Sequence, residues 1–112
     1  MITIEILYKK VRISQVTVKG HANYAEYGKD IVCAAVSAVT IGTVNAIEQL
    51  LNVSLLVEKN EKHGGLLAWQ VPEVTDERIA DKMELLLNAF VLTIKSIRDE
   101  YKEHLQVREI RK

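Results

Sequence analysis

The feature that most constrains this chain is an apolar stripe near its C-terminal end. Ile79, Met83, Leu86, Phe90, Ile94, Ile97 and Tyr101 recur at spacings of three and four, which puts them on one face of a long helix. Asp76 and Glu77 open that helix, with acidic side chains where the helix dipole favours them. One apolar face requires a second layer to cover it. Ile2, Ile4, Ile6 and Tyr8 alternate with Thr3, Glu5 and Leu7, the period of a half-buried strand. Lys9 to Arg12 reads as a charged turn. Ile13 to His21, with Val16 and Val18 on one face and Thr17 and Lys19 on the other, completes an antiparallel hairpin. Val53 to Glu58 and Leu66 to Val71 are two further strands, with Asn60 to Gly65 as their turn, and Leu105 to Ile110 adds a short final strand at a sheet edge. Asp30 is a good N-cap for a helical run to Leu51, apolar nearly all round and therefore expected at the centre of the fold. The order ββαββαβ predicts an α+β fold, a mainly antiparallel sheet covered by two helices.

Composition excludes several functions. With 112 residues the chain suits one domain with one core. Lys plus Arg and Asp plus Glu each total 15, so net charge is zero, which argues against direct binding of nucleic acid through phosphate neutralisation. The 48% apolar and 27% charged residues are those of a soluble folded protein, not a disordered one. A lone cysteine forms no internal disulfide, so the chain reads as suited to a reducing, cytoplasmic setting or as indifferent to redox. Met1 to Tyr8 lacks the pattern of a signal peptide. The longest charge-free stretch, Ile31 to Ile47, falls short of the ~20 apolar residues of a span, so it reads as a core helix and no membrane partner is expected. The charged tail from Arg108 to Lys112 is expected to fray.

The segment from Gly20 to Asp30 follows neither period and reads as a loop. It has His21 at its entrance and Cys33 just beyond its exit. With Asp30 as N-cap, Cys33 takes the third helical position. There the helix dipole favours a thiolate, and first-turn N–H groups without intrahelical acceptors can receive an oxyanion. An imidazole within reach can take the thiol proton and return it to a leaving group. The competing reading is that Cys33, amid Ile31, Val32, Ala34 and Ala35, is a small buried hydrophobe. Asp30 carries a charge that opposes a thiolate, and either orients His21 or caps the helix. Ser37 shares the helix face of Cys33; its spacing favours a bond to a carbonyl one turn back over a role in the site. Tyr24 and Tyr27 either line a groove for an extended peptide or anchor the loop. Gly28 is a hinge or an ordinary turn glycine. His63 reads as a turn residue, and His104 as a cation near a helix C-terminus. No metal-ligand spacing and no phosphate-binding glycine pattern occurs, so neither a metal nor another cofactor is expected.

The run Gly20-His21-Ala22-Asn23-Tyr24-Ala25-Glu26-Tyr27-Gly28-Lys29-Asp30-Ile31-Val32-Cys33-Ala34-Ala35-Val36-Ser37 resembles the ribosomal-processing cysteine protease family called Prp. Gly20, His21, Ala22, Gly28, Asp30, Val32, Cys33, Ala34, Ala35 and Ser37 match the family pattern. Asn23 departs from its usual glycine, a change that the left-handed tolerance of asparagine accommodates. The resemblance implies one cysteine protease domain over residues 1–112. It also implies a dyad of Cys33 as nucleophile and His21 as general base, with Asp30 and Ser37 in support, a mobile loop between the dyad members, and a homodimer. The implied substrate is the precursor of the large-subunit ribosomal protein L-twenty-seven, whose short N-terminal extension, ending near paired phenylalanines, is removed. Two other readings compete: a non-enzymatic ribosome-associated binding or assembly factor with an inert Cys33, and a thiol redox sensor that would need a partner thiol.

Overall fold

On the first strand, Ile2, Ile4, Ile6 and Tyr8 are all buried, and Thr3, Glu5 and Leu7 stay half-exposed, so the period of two becomes the two faces of a sheet. The computed structural model describes residues 1–21, 24–26, 30–60 and 66–112. Its elements are β1 (Ile2–Lys9), β2 (Arg12–Lys19), α1 (Ile31–Leu51), β3 (Leu56–Asn60), β4 (Leu66–Gln70), α2 (Glu77–Glu100) and β5 (Leu105–Arg111), the order ββαββαβ. The five strands lie in the order β3-β4-β2-β1-β5, and all pairings are antiparallel except β1 with β5. The buried residues of the sheet and of both helices form one core, in which Trp69 meets Phe90 edge-on at 5.4 Å. Asp76 caps α2 through Arg78 and Ile79, and Met83, Phe90 and Ile94 of the stripe are buried together with Leu87.

Four differences from the sequence reading have physical causes. The alternation of β2 breaks because the register steps from Leu7 opposite Gln15 to Tyr8 opposite Ile13, leaving Ser14 as an extra residue. This bulge puts both Ile13 and Val16 on the core side, a change of phase that a period count misses. The third strand starts later than Val53, because Asn52 caps α1 in a left-handed conformation (φ 55°) and the Leu55 N–H is held by Glu48. The tail does not fray. It runs as β5 along the whole of β1, and Lys112 exchanges backbone hydrogen bonds with Tyr8 and Lys10. A backbone ladder accepts charged side chains at a sheet edge.

The largest correction concerns α1, which is not central. It spans 21 residues and is long and apolar enough, by length and composition alone, to cross a membrane, a test that core helices also pass. Its buried residues are Val32, Val36, Thr40, Val44 and Ile47, a single stripe joined to the core. Ile31, Ile41 and Leu50 on its other sides are exposed. Apolar composition all round states which faces tolerate cover; it does not state that cover exists.

Candidate active site

Residue His21 owes its position to Gly20. That glycine ends β2 with φ +87°, and a Cβ added to it would lie 2.5 Å from the Met1 carbonyl oxygen. Both the dihedral and the close approach demand glycine, and the chain leaves the sheet there. His21 follows, exposed, at the start of the loop.

Cys33 is half-buried in the first turn of α1. Asp30 Oδ1 accepts from the N–H groups of Val32 and Cys33, both at 3.0 Å. Asp30 Oδ2 accepts from Tyr24 N–H at 2.9 Å and Ala25 N–H at 3.3 Å. Two donors on each oxygen fill the acceptor capacity of the carboxylate, so its geometry is that of a cap. Burial by itself would push this carboxyl up, but the four backbone donors outweigh burial and hold it below the ordinary carboxylate value. The cap also takes up two first-turn N–H groups that were candidates for receiving an oxyanion, which removes Val32 and Cys33 from that role in this conformation.

His21 and Cys33 open on one cleft of about 710 Å³. Helix α1 supplies Cys33, Ala34, Ser37 and Ile41 to it, and the sheet supplies Val18, Leu66 and Leu67. Ala25 and Asp30 contribute from the loop, and Lys59 and Asn60 from the end of edge strand β3. The walls are mainly apolar with a small number of polar groups among them, the usual build of a ligand cleft. Ser37 lies in the cleft, and its hydroxyl has no hydrogen-bond partner among the described residues. The bonds to carbonyls one turn back, expected for Ser37, are made instead by Thr40 to Val36 and Thr43 to Val39, each at 2.7 Å. Tyr24 stands against Tyr101 and His104 rather than in the cleft lining. Tyr27, Gly28 and His63 lie outside the described residues. Among the described residues no group of three or more His, Cys, Asp or Glu is arranged to hold a metal ion.

Sequence reasoning missed Ile41, Leu66 and Leu67. Ile41 was within reach, since Cys33, Ser37 and Ile41 repeat every four residues along one helix face. Leu66 and Leu67 join the cleft only because β4 pairs with β2, a long-range fact.

A thiol and an imidazole that line one cleft are the side chains with which a thiol hydrolase works. Comparison with known proteins gives the same class. A family model described as cysteine protease Prp matches residues 1–106. The ribosomal processing cysteine protease Prp of Bacillus subtilis is 39% identical over 88 residues, covering 79% of this chain and 78% of the relative. A crystal structure of a Streptococcus mutans protein superposes with a TM-score of 0.88 at 31% identity, covering 100% of this chain and 96% of the other. The essential ribosomal processing protease Prp of Staphylococcus aureus, in complex with a covalently linked product peptide, superposes with a TM-score of 0.81 at 32% identity, covering 97% and 99%. The chain belongs to the cysteine protease Prp family, and its enzyme class is that of a cysteine protease.

Proposed function

We propose that residues 1–112 form one protease domain that removes the short N-terminal extension from the precursor of the large-subunit ribosomal protein L-twenty-seven. The observation that carries this reading is that Cys33 and His21 line the same apolar cleft. Cys33 is the nucleophile and His21 the general base. The Cys33 thiolate attacks the carbonyl carbon after the bulky aromatic residues of the extension. The C–N bond breaks as His21 gives its proton to the departing amine, and water then hydrolyses the thioester and restores the thiol. Val18, Leu67 and Ile41 offer the apolar surface that aromatic residues require. Asp30 supports the site as the cap beneath Cys33, and Ser37 as a hydroxyl donor one helical turn from the thiol. The Staphylococcus aureus relative is known in complex with a substrate peptide and with a covalently linked product peptide, which supports a peptide substrate for this chain.

The working enzyme in this reading is a cytoplasmic homodimer without a cofactor. The exposed side of α1, with Ile31 and Leu50 uncovered and nothing within 4 Å of a Cβ at Gly42, supports contact with a second copy there.

The deciding experiment is cleavage of the precursor from the same organism, read by mass spectrometry, with Cys33→Ala and His21→Ala alongside. One cut in the extension, absent from both variants, is the expected result. An intact precursor with folded, reduced wild-type protein would overturn the reading.

A further inference from the structure

The Tyr24 ring meets Tyr101 edge-on at 5.5 Å and 87°, and His104 at 5.2 Å and 80°. Both partners belong to the turn that joins α2 to β5. The Tyr101 carbonyl accepts from the N–H groups of His104 at 2.9 Å and Leu105 at 3.1 Å, and the His104 carbonyl accepts from Ile2 N–H at 2.9 Å. This turn is therefore tied to the start of β1, where Ile2 lines the cleft and the Met1 carbonyl abuts Gly20. On its other side, the Tyr24 backbone N–H donates to Asp30 Oδ2, and the second oxygen of that carboxylate holds the N–H of Cys33. Tyr24 thus joins the far end of the chain to the cap beneath the thiol. Its hydroxyl has no hydrogen-bond partner among the described residues, so the ring itself makes the attachment.

We propose that Tyr24 is a positioning residue for the peptidase reaction: clasped edge-on by Tyr101 and His104, it fixes the N–H groups that hold Asp30, and through Asp30 the first turn of α1 that carries Cys33. The proposal rests on the reading of Cys33 as nucleophile. It separates Tyr24 from the substrate groove, which the same residue would serve if its ring faced a bound peptide. Two edge-to-face contacts on a half-exposed ring are worth about tenfold in a local opening equilibrium.

The test pairs kinetics with amide hydrogen exchange. The substrate is a synthetic peptide spanning the extension and its cut site. In Tyr24→Ala, kcat falls about tenfold with KM within about threefold of wild type. Exchange of the Val32 and Cys33 amides rises about tenfold without peptide. Tyr24→Phe keeps both ring contacts and restores kcat and slow exchange. His104→Ala changes both readouts in the same direction, and adding it to Tyr24→Ala costs less than it does alone, because the two share one contact. Should Tyr24→Ala fail to fold, Tyr24→Leu keeps bulk without edge-to-face geometry and takes its place. A raised KM with unchanged kcat, or full additivity of the two substitutions, overturns the clasp and returns Tyr24 to the groove. If wild-type protein cuts no peptide, the peptidase reading fails by itself. Amide exchange then still decides the clasp: faster exchange in Tyr24→Ala upholds it and unchanged exchange sinks it.

Discussion

Asp30 Oδ1 lies 3.0 Å from the backbone nitrogen of Cys33, and the other oxygen of the same carboxylate lies 2.9 Å from that of Tyr24. One ionised group therefore ties the loop to the helical turn that carries the thiol. Its position is dictated by local chemistry, since an N-cap aspartate satisfies donors that the first helical turn leaves over.

Asp30→Ala is expected to cost about 1–2 kcal/mol near pH 7. The carboxyl is held below its ordinary value in the folded state, so its contribution is complete above the usual carboxylate range and disappears as pH falls through the lower folded value. Urea unfolding of wild type and variant should therefore differ at neutral pH and converge in acid. An equal difference at both would show that the charge of the cap contributes nothing.

The two glycines Gly20 and Gly42 should respond oppositely to alanine. At Gly20 the positive φ and the Met1 carbonyl make the substitution cost about 2 kcal/mol or more, with loss of cleavage because His21 is the next residue. At Gly42 nothing lies within 4 Å of the added Cβ, so the isolated subunit should gain about 0.5–1 kcal/mol. Destabilisation by Gly42→Ala that depends on protein concentration would place a second copy against this face.

Tyr8 donates to Glu109 Oε1 at 2.8 Å, and Lys95 reaches the other oxygen at 3.2 Å. Burial first, and the bond to Glu109 second, push the Tyr8 phenol from 10.0 up to about 12. A raised value in the folded state stabilises the fold fully below pH 10 and loses that stabilisation as pH rises toward 12. Tyr8→Phe should cost about 1 kcal/mol at neutral pH, and the gap to wild type should narrow through this alkaline window. Phenolate absorbance measured during the titration gives an independent check; ionisation of Tyr8 at its ordinary value would refute the account.

Ile41 lines the cleft on the face of α1 that carries Cys33 and Ser37. Ile41→Glu should raise KM for the extension peptide about tenfold while kcat holds within about twofold, because the lost contact is apolar binding surface distant from the bonds that change. A fall in kcat at unchanged KM would contradict that assignment.

Much of this protein was legible in its residues because the relevant forces are local. Period-two alternation marked β1, the stripe from Ile79 marked α2, and Asp30 and Asp76 marked both helix starts, since capping is decided within a few residues. The block from Gly20 to Ser37 carried the family resemblance and both candidate catalytic side chains. Other features were hidden because they depend on contacts distant in sequence. The Ser14 bulge is defined only against β1, the ordered tail only by its parallel ladder with β1, and the exposure of α1 only by what fails to cover it. The charged turn shows the same division: its charges were readable, but their pairing with Glu73 and Asp81, at 3.8 and 3.9 Å from Lys9 and Arg12, was not.

By itself the sequence determined the order of elements, the helix caps and the thiol at the third position of α1. Each of these follows from backbone dihedrals and hydrogen bonds within one turn of chain. Tertiary structure alone decided that Leu66 and Leu67 of β4 wall the cleft beside Cys33 and that Tyr24 lodges against Tyr101 and His104. The physical reason is that side chains separated by tens of residues meet only after strand pairing and core packing fix their distances, and no local pattern encodes that pairing.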